Sequence, residues 1–217
     1  MKTAFRTAAT AAIRTAAAAA FTTALAISFG AGPAVAQAPD MAAAKSLAQR
    51  VCSNCHGKEG HSIAPTFPQL AGQTAPYLEA QLKAFRDESR GDPHAQAYMW
   101  GMASQLTDST IKGLALYYSK LPPAAGTPGD PDQIAAGQKI FENGIDSENV
   151  PACKACHGDQ GQGMDTIPRL AGQHREYLAA QLLAFKTNER QNETMHSNVA
   201  KMTDDQIRSI SAYLASK

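Results

Sequence analysis

Two short stretches constrain this 217-residue chain more than anything else in it: Cys52-Ser53-Asn54-Cys55-His56 and Cys153-Lys154-Ala155-Cys156-His157. Together they use all four cysteines. Two thiols about one helical turn apart, followed at once by an imidazole, suit covalent capture of a porphyrin. Each thiol adds to a vinyl group, and the imidazole then meets the iron from below. A zinc site would have to join thiols about a hundred residues apart, far outside the usual spacing. A thioredoxin-like dithiol wants a neighbouring βαβ pattern, and no such strands are visible. Structural disulfides leave both histidines unexplained. Cys52, Cys55, Cys153 and Cys156 are therefore read as the attachment points of two haem c groups, with His56 and His157 as iron ligands.

The halves match beyond these motifs. Leu70-Ala71-Gly72-Gln73 returns as Leu170-Ala171-Gly172-Gln173, and Tyr77-Leu78 with Gln81-Leu82 and Ala84-Phe85 returns at the same spacing of 100 residues. Later the spacing falls to 96, pairing Leu106-Thr107-Asp108 with Met202-Thr203-Asp204, so four residues are missing from the second copy. Self-similarity at this scale means two copies of one structural unit. Between them runs Leu121-Pro-Pro-Ala-Ala-Gly-Thr-Pro-Gly-Asp-Pro131, which cannot continue a helix. The expected division is a first domain over 37–121, a linker over 122–131 and a second domain over 132–217.

Each copy is near the size at which a domain struggles to bury enough apolar surface unaided, and a covalently held haem would supply the missing core. The pattern is all-α. A helix should lead into each motif, over Met41–Val51 and Pro131–Asn143. A second should cover Pro76–Asp87 and His174–Thr187, where Leu78, Leu82 and Phe85 share one face. A third should start at Thr107 or Thr203, the latter with Gln206 in a capping box. As in the class I cytochromes c that these motifs resemble, Gly137 and Phe141 stand at the spacing of a helix crossing in the second copy, whereas the first copy departs from it with Ala43 and Leu47. The additional residues between Phe141 and Cys153 are expected to form a surface loop.

The repeat also selects the other iron ligand. At spacing 96, Met99 pairs with Met195, each seven residues before the residue preceding a Thr-Asp cap, in what reads as an irregular loop. Met102 pairs with Asn198. His61, His94, His174 and His196 have no imidazole counterpart. Both irons are thus expected to be His/Met, which raises the reduction potential and leaves no position for a substrate. Pro68 and Pro168, which repeat ahead of the Leu-Ala-Gly-Gln segments, are the expected carbonyl partners of the two imidazoles.

At the start of the chain Lys2, Arg6 and Arg14 precede an Ala-rich apolar run that ends in Ala34-Val35-Ala36. This predicts a cleaved signal peptide over 1–36, haem attachment after export, and no later membrane span. Losing those three cations takes the formal charge from +1 to −2. The first copy then carries 8 basic against 7 acidic residues and the second 9 against 12. No Lys/Arg stripe suggests nucleic acid, and the lopsided charge can orient a protein partner during encounter.

With both Cys-x-x-Cys-His motifs, both Pro-x-Leu-Ala-Gly-Gln segments, the Tyr-Leu helices and Met99/Met195 in place, the chain resembles the dihaem cytochrome c4 family along essentially its whole mature length. The resemblance implies two tandem class I cytochrome c folds packed face to face, working in the periplasm of a Gram-negative bacterium. It makes Cys52, Cys55, Cys153 and Cys156 the haem attachment residues and His56, Met99, His157 and Met195 the axial ligands. It implies an electron carrier rather than an enzyme, passing electrons from the cytochrome bc1 complex or other donors toward a terminal oxidase, often in peripheral association with the inner membrane. A second reading is the dihaem electron-accepting subunit of a periplasmic dehydrogenase, as in flavocytochromes. A haem peroxidase or gas sensor would need an open iron, against which Met99 and Met195 argue.

Overall fold

The structure, a computed structural model, describes residues 37–217. The signal peptide expected over 1–36 lies outside the described residues. Among the described residues there is no strand, only two isolated bridge pairs, Ile145 with Val150 and Met164 with Ile167. No helix among them is long and apolar enough to cross a membrane.

Each half is built on three main helices with shorter ones between them. In the first, α1 (Met41–Leu47) runs without a break through a wide π-helical turn, Ala48–Cys52, into α2 (Ser53–His56). The leading helix therefore contains the haem motif instead of ending before it. It stops at Gly57, whose φ of 73° no other residue adopts without strain. Then come α3 (Ala75–Arg86), a second π-turn over Ala95–Met99 leading into α4 (Trp100–Ala103), and α5 (Asp108–Ser119). The second half repeats this as α6 (Pro131–Asn143), α7 (Lys154–His157), α8 (Arg175–Lys186), α9 (Glu193–Val199) and α10 (Asp204–Ala215). Pro131 opens α6 behind an Asp130 cap, so it belongs to the helix and not to the connecting segment.

The terminal helices of each half pack together, α1 on α5 and α6 on α10, with α3 and α8 against the latter of each pair. In the second half the crossing is at Gly137, where an added Cβ would lie 2.0 Å from the Ser209 carbonyl oxygen. In the first half the glycine is on the other helix: a Cβ on Gly113 would lie 2.6 Å from the Asp40 oxygen and 2.8 Å from the Ala44 Cβ. Ala44 and Ala48, buried on one face, make that crossing. This corrects the expected Ala43 and Leu47 by one position: the half-buried Leu47 packs on the edge of the same core, and the small Ala44 meets Gly113 at the closest approach.

Thr107 and Thr203 cap α5 and α10 as their sequence suggests, Thr203 in a full capping box with Gln206. The inserted stretch after Phe141 folds back through the Ile145–Val150 bridge and buries Val150 in the second core. Gly72 and Gly172, with φ of 69° and 74°, turn the Leu-Ala-Gly-Gln segments, and side chains there would collide with Pro123 and Ala124 of the connecting segment.

Candidate haem sites and the interface between them

Cys52 and Cys55 are brought onto successive turns of one helix because α1 does not end before the motif; Cys153 and Cys156 take the same placement around α7. None of the four is in a disulfide. Cys55 and Cys156 are exposed while Cys52 and Cys153 are half-buried, and burial pushes the Cys52 thiol up and that of Cys153 to about 11.

Both motif imidazoles are buried, and both are tethered in one way. His56 Nδ1 lies 3.0 Å from the Pro68 carbonyl oxygen and His157 Nδ1 lies 3.0 Å from that of Pro168. A carbonyl only accepts, so Nδ1 carries the proton and Nε2 keeps its lone pair. Burial lowers the pKa of both rings, opposed in part by these hydrogen bonds, and favours the neutral imidazole that a metal requires. The donor set therefore fits a porphyrin iron: two thiols and one oriented, neutral nitrogen per half.

Met99 and Met195 do not lie in irregular loops. Met99 ends the π-turn before α4 and Met195 is inside α9, whose first turn is capped by Asn192 Oδ1 accepting from Met195 N at 2.9 Å. The cap signals there, Asp92 and Asn192, are the feature that would have predicted helix. Met99 packs with Phe85, Ala95, Ala103 and Trp100. Met195 packs on the second core, as does Cys153. Met102 is half exposed. Phe67 joins the motif side of the first half to the Met99 segment, its ring 6.2 Å from His56 and 5.3 Å from Tyr98.

Of the remaining histidines, two are otherwise engaged, one is exposed and His61 is half-buried. His174 Nε2 donates to the Ser62 carbonyl at 3.0 Å, His196 Nδ1 to that of Phe185 at 2.8 Å, and His94 is exposed.

Sequence reasoning noticed the repeated glutamines and tyrosines without seeing their task, which is to join the halves. Gln73 accepts from Arg169 N at 2.7 Å and donates to Arg169 O at 3.0 Å; Gln173 accepts from Gln69 N at 2.9 Å and donates to Gln69 O at 3.0 Å. The two clasps are related by an approximate twofold exchange of the repeat. Beside them Arg90 and Arg190, each 7 % exposed, reach across to Tyr177 and Tyr77. Polar residues shared by the two copies, Gln73 and Gln173 in the turn before α3 and α8 and Tyr77 and Tyr177 on those helices, were the available signal.

Two haem-attachment helices with equivalent imidazole tethers, in two packed all-α halves, define a two-haem c-type cytochrome. The cytochrome c family model matches residues 41–122 and again 134–217. Cytochrome c4 of Azotobacter vinelandii is 36% identical over 191 residues, covering 83% of this chain and 90% of that one. A solved cytochrome c4 of Acidithiobacillus ferrooxidans superposes with a TM-score of 0.74 at 40% identity, over 76% of this chain and 98% of that one. A thiosulfate dehydrogenase electron acceptor of Thiomonas intermedia is 35% identical over 173 residues, 76% of this chain and 78% of its own. The chain belongs to the dihaem cytochrome c4 family: an electron carrier with two covalently attached haem c groups, working with redox protein partners.

Proposed function

We propose that each half, 37–121 and 132–217, holds one haem, through Cys52 and Cys55 in the first and Cys153 and Cys156 in the second, with His56/Met99 and His157/Met195 as the axial ligands. The observation that carries this is the paired 3.0 Å tether of His56 to Pro68 and His157 to Pro168, which presents an unprotonated Nε2 in both halves alike. Bound haem supplies a one-electron ferric/ferrous couple. The tethered imidazoles would hold the iron and the Met99 and Met195 thioethers would complete its coordination, which would leave neither half a position for a substrate. The chain is then a carrier and not an enzyme. Residues 1–36 direct export and are removed, which puts the carrier in the periplasm, exchanging electrons between a donor such as the cytochrome bc1 complex and a terminal oxidase.

Spectra of the oxidised, reduced and carbon-monoxide-treated protein, with a haem count per chain, test this. Two low-spin haems indifferent to carbon monoxide are expected; Met99→Ala should open only the first iron and Met195→Ala only the second. Ready carbon monoxide binding by the unaltered protein would sink the carrier reading.

The likeness to a protein named as the electron acceptor of thiosulfate dehydrogenase supports a second reading, an electron-accepting subunit of a periplasmic dehydrogenase. A dehydrogenase co-purifying in fixed proportion would decide for it. Fractionation of the cells, with and without a salt wash of the membranes, tests the periplasmic placement and any peripheral association with the inner membrane.

A further inference from the structure

The contact between the halves buries three charged side chains, and they do not balance. Arg90 and Arg190 follow α3 and α8 at equivalent positions and lie over the phenylalanine of their own half, 4.7 Å from the Phe85 centroid and 4.5 Å from that of Phe185. Arg90 donates to Gln81 at 2.8 Å, Gln181 at 2.7 Å and Tyr177 at 3.2 Å. Arg190 donates to Gln181 at 2.6 Å, Gln81 at 2.8 Å and Tyr77 at 2.9 Å. So far the two match.

They part at the residue two places on. Asp92, 2 % exposed, holds Arg90 Nε at 2.7 Å and accepts from Gln181 at 3.4 Å. Its counterpart at the same spacing, Asn192, is neutral and exposed, and it caps α9 instead. The hydrogen-bonding partners of Arg190 are all uncharged. One guanidinium between the halves therefore has a carboxylate bonded to it, on the first-half side, while Arg190 meets the Asp92 charge only through space. The Tyr77 hydroxyl registers this: burial pushes it up, but the charges of Arg190 and Arg90 outweigh burial and hold it below the usual phenol range.

A buried carboxylate favours the more positive, ferric state of a nearby iron, and a buried cation favours the ferrous state, because little water screens either. Although both arginines share the Gln81 and Gln181 oxygens, each lies over the phenylalanine of its own half, and Phe85 and Phe185 belong to the clusters with which Met99 and Met195 pack, which ties each arginine to its own half's Met segment. We infer that the Asp92/Asn192 difference makes the two irons unequal: Asp92 lowers the reduction potential of the first half, and Arg190, without a carboxylate, raises that of the second. A single electron on the chain then resides chiefly in the second half.

This rests on the two-haem His/Met reading, and the following experiment separates the two. The half-reduced protein is followed by NMR of the haem methyl groups during a redox titration, with signals assigned to halves through Met99→Ala and Met195→Ala. Asp92→Asn should raise the first-half potential alone and Arg190→Gln should lower the second-half potential alone. Each moves the electron about tenfold toward the first half, which is about 59 mV for a one-electron couple. A purely structural role would shift the urea midpoint and leave this distribution where it was.

If both variants keep the distribution within about twofold of the unaltered protein, or move it toward the second half, the inference is overturned. If Asp92→Asn does not fold, Arg190→Gln decides alone, since it removes the unbalanced cation. Failure of the underlying reading shows differently, as carbon monoxide binding to the unaltered protein.

Discussion

The two halves answer one packing problem in opposite ways. Both must bring the leading helix close to the closing helix so that the haem motif sits over the core. The second half does it with Gly137 on the leading helix, against the Ser209 backbone. The first does it with Gly113 on the closing helix, against Asp40 and Ala44. What the repeat preserves is thus the close approach and not the residue that permits it. The comparison teaches that equivalent geometry can be found from the sequence only when both partners of a contact are read together.

That comparison can be broken most severely at the glycines. Gly137→Ala places a methyl group 2.0 Å from a backbone oxygen that cannot swing aside, whereas Gly113→Ala meets its nearest oxygen at 2.6 Å and a Cβ at 2.8 Å. Gly137→Ala is expected to cost about 3 kcal/mol or more and Gly113→Ala about 2 kcal/mol. Peptide-resolved hydrogen exchange should show protection lost over α6 and α10 in the first variant and over α1 and α5 in the second. Equal, mild effects would mean the crossings are looser than the backbone distances imply.

Acid separates the halves next, because only one carries a buried carboxylate between them. Burial raises the Asp92 pKa, but the Arg90 charge and its hydrogen bond outweigh burial, and the folded value lies below the ordinary carboxylate value. A depressed folded pKa gives stability that is present above the unfolded value of about 4 and is lost as pH falls through the folded value. Urea unfolding between pH 6 and pH 2 should therefore weaken on the acid side, and Asp92→Asn should flatten that limb while lowering stability at pH 6. An unchanged acid limb in Asp92→Asn would place the acid sensitivity elsewhere.

Much of this was legible in the chain. The haem motifs, the Pro68 and Pro168 partners, the closing-helix caps and the all-α architecture follow from short-range chemistry, since each depends on residues within about a dozen positions of one another. What was not legible depends on contacts about a hundred residues apart. Gln73 and Gln173 look like ordinary turn residues until Arg169 and Gln69 of the opposite copy arrive. The helices carrying Met99 and Met195 were hidden because their caps, Asp92 and Asn192, sit where the repeat loses register and their runs are only a turn or two long.

The glutamine clasps test whether the approximate twofold exchange is real. Gln73→Ala removes two hydrogen bonds to the Arg169 backbone, and Gln173→Ala removes two to that of Gln69. Both glutamines are buried, so each loss strands backbone groups and should cost about 2 kcal/mol. The two substitutions should cost the same within about 0.5 kcal/mol, and the double variant less than their sum if the clasps cooperate. A clear inequality would mean that one clasp holds the halves together and the other only follows.

The smallest expected effect is at the start of the closing helices. Gln206 returns its side chain to Thr203 N at 2.6 Å and holds Glu148 of the inserted loop at 3.0 Å. Thr110, in the matching place of the first half, donates its amide to the Thr107 hydroxyl at 3.2 Å and sets its own hydroxyl 3.0 Å from it, with no reach back to the Thr107 backbone. Gln206→Ala should cost about 1 kcal/mol, because it leaves one end-group amide to water and unties the loop, while the Thr203 hydroxyl still caps the helix. Thr110→Ala should cost less, since it removes only the hydroxyl contact with Thr107 while its backbone amide still donates to the Thr107 hydroxyl. Hydrogen exchange should then quicken over 145–150 and the first turn of α10 in Gln206→Ala, with α5 unaffected. Faster exchange confined to α10, with 145–150 unchanged, would show that Val150 alone anchors the inserted loop to the second core.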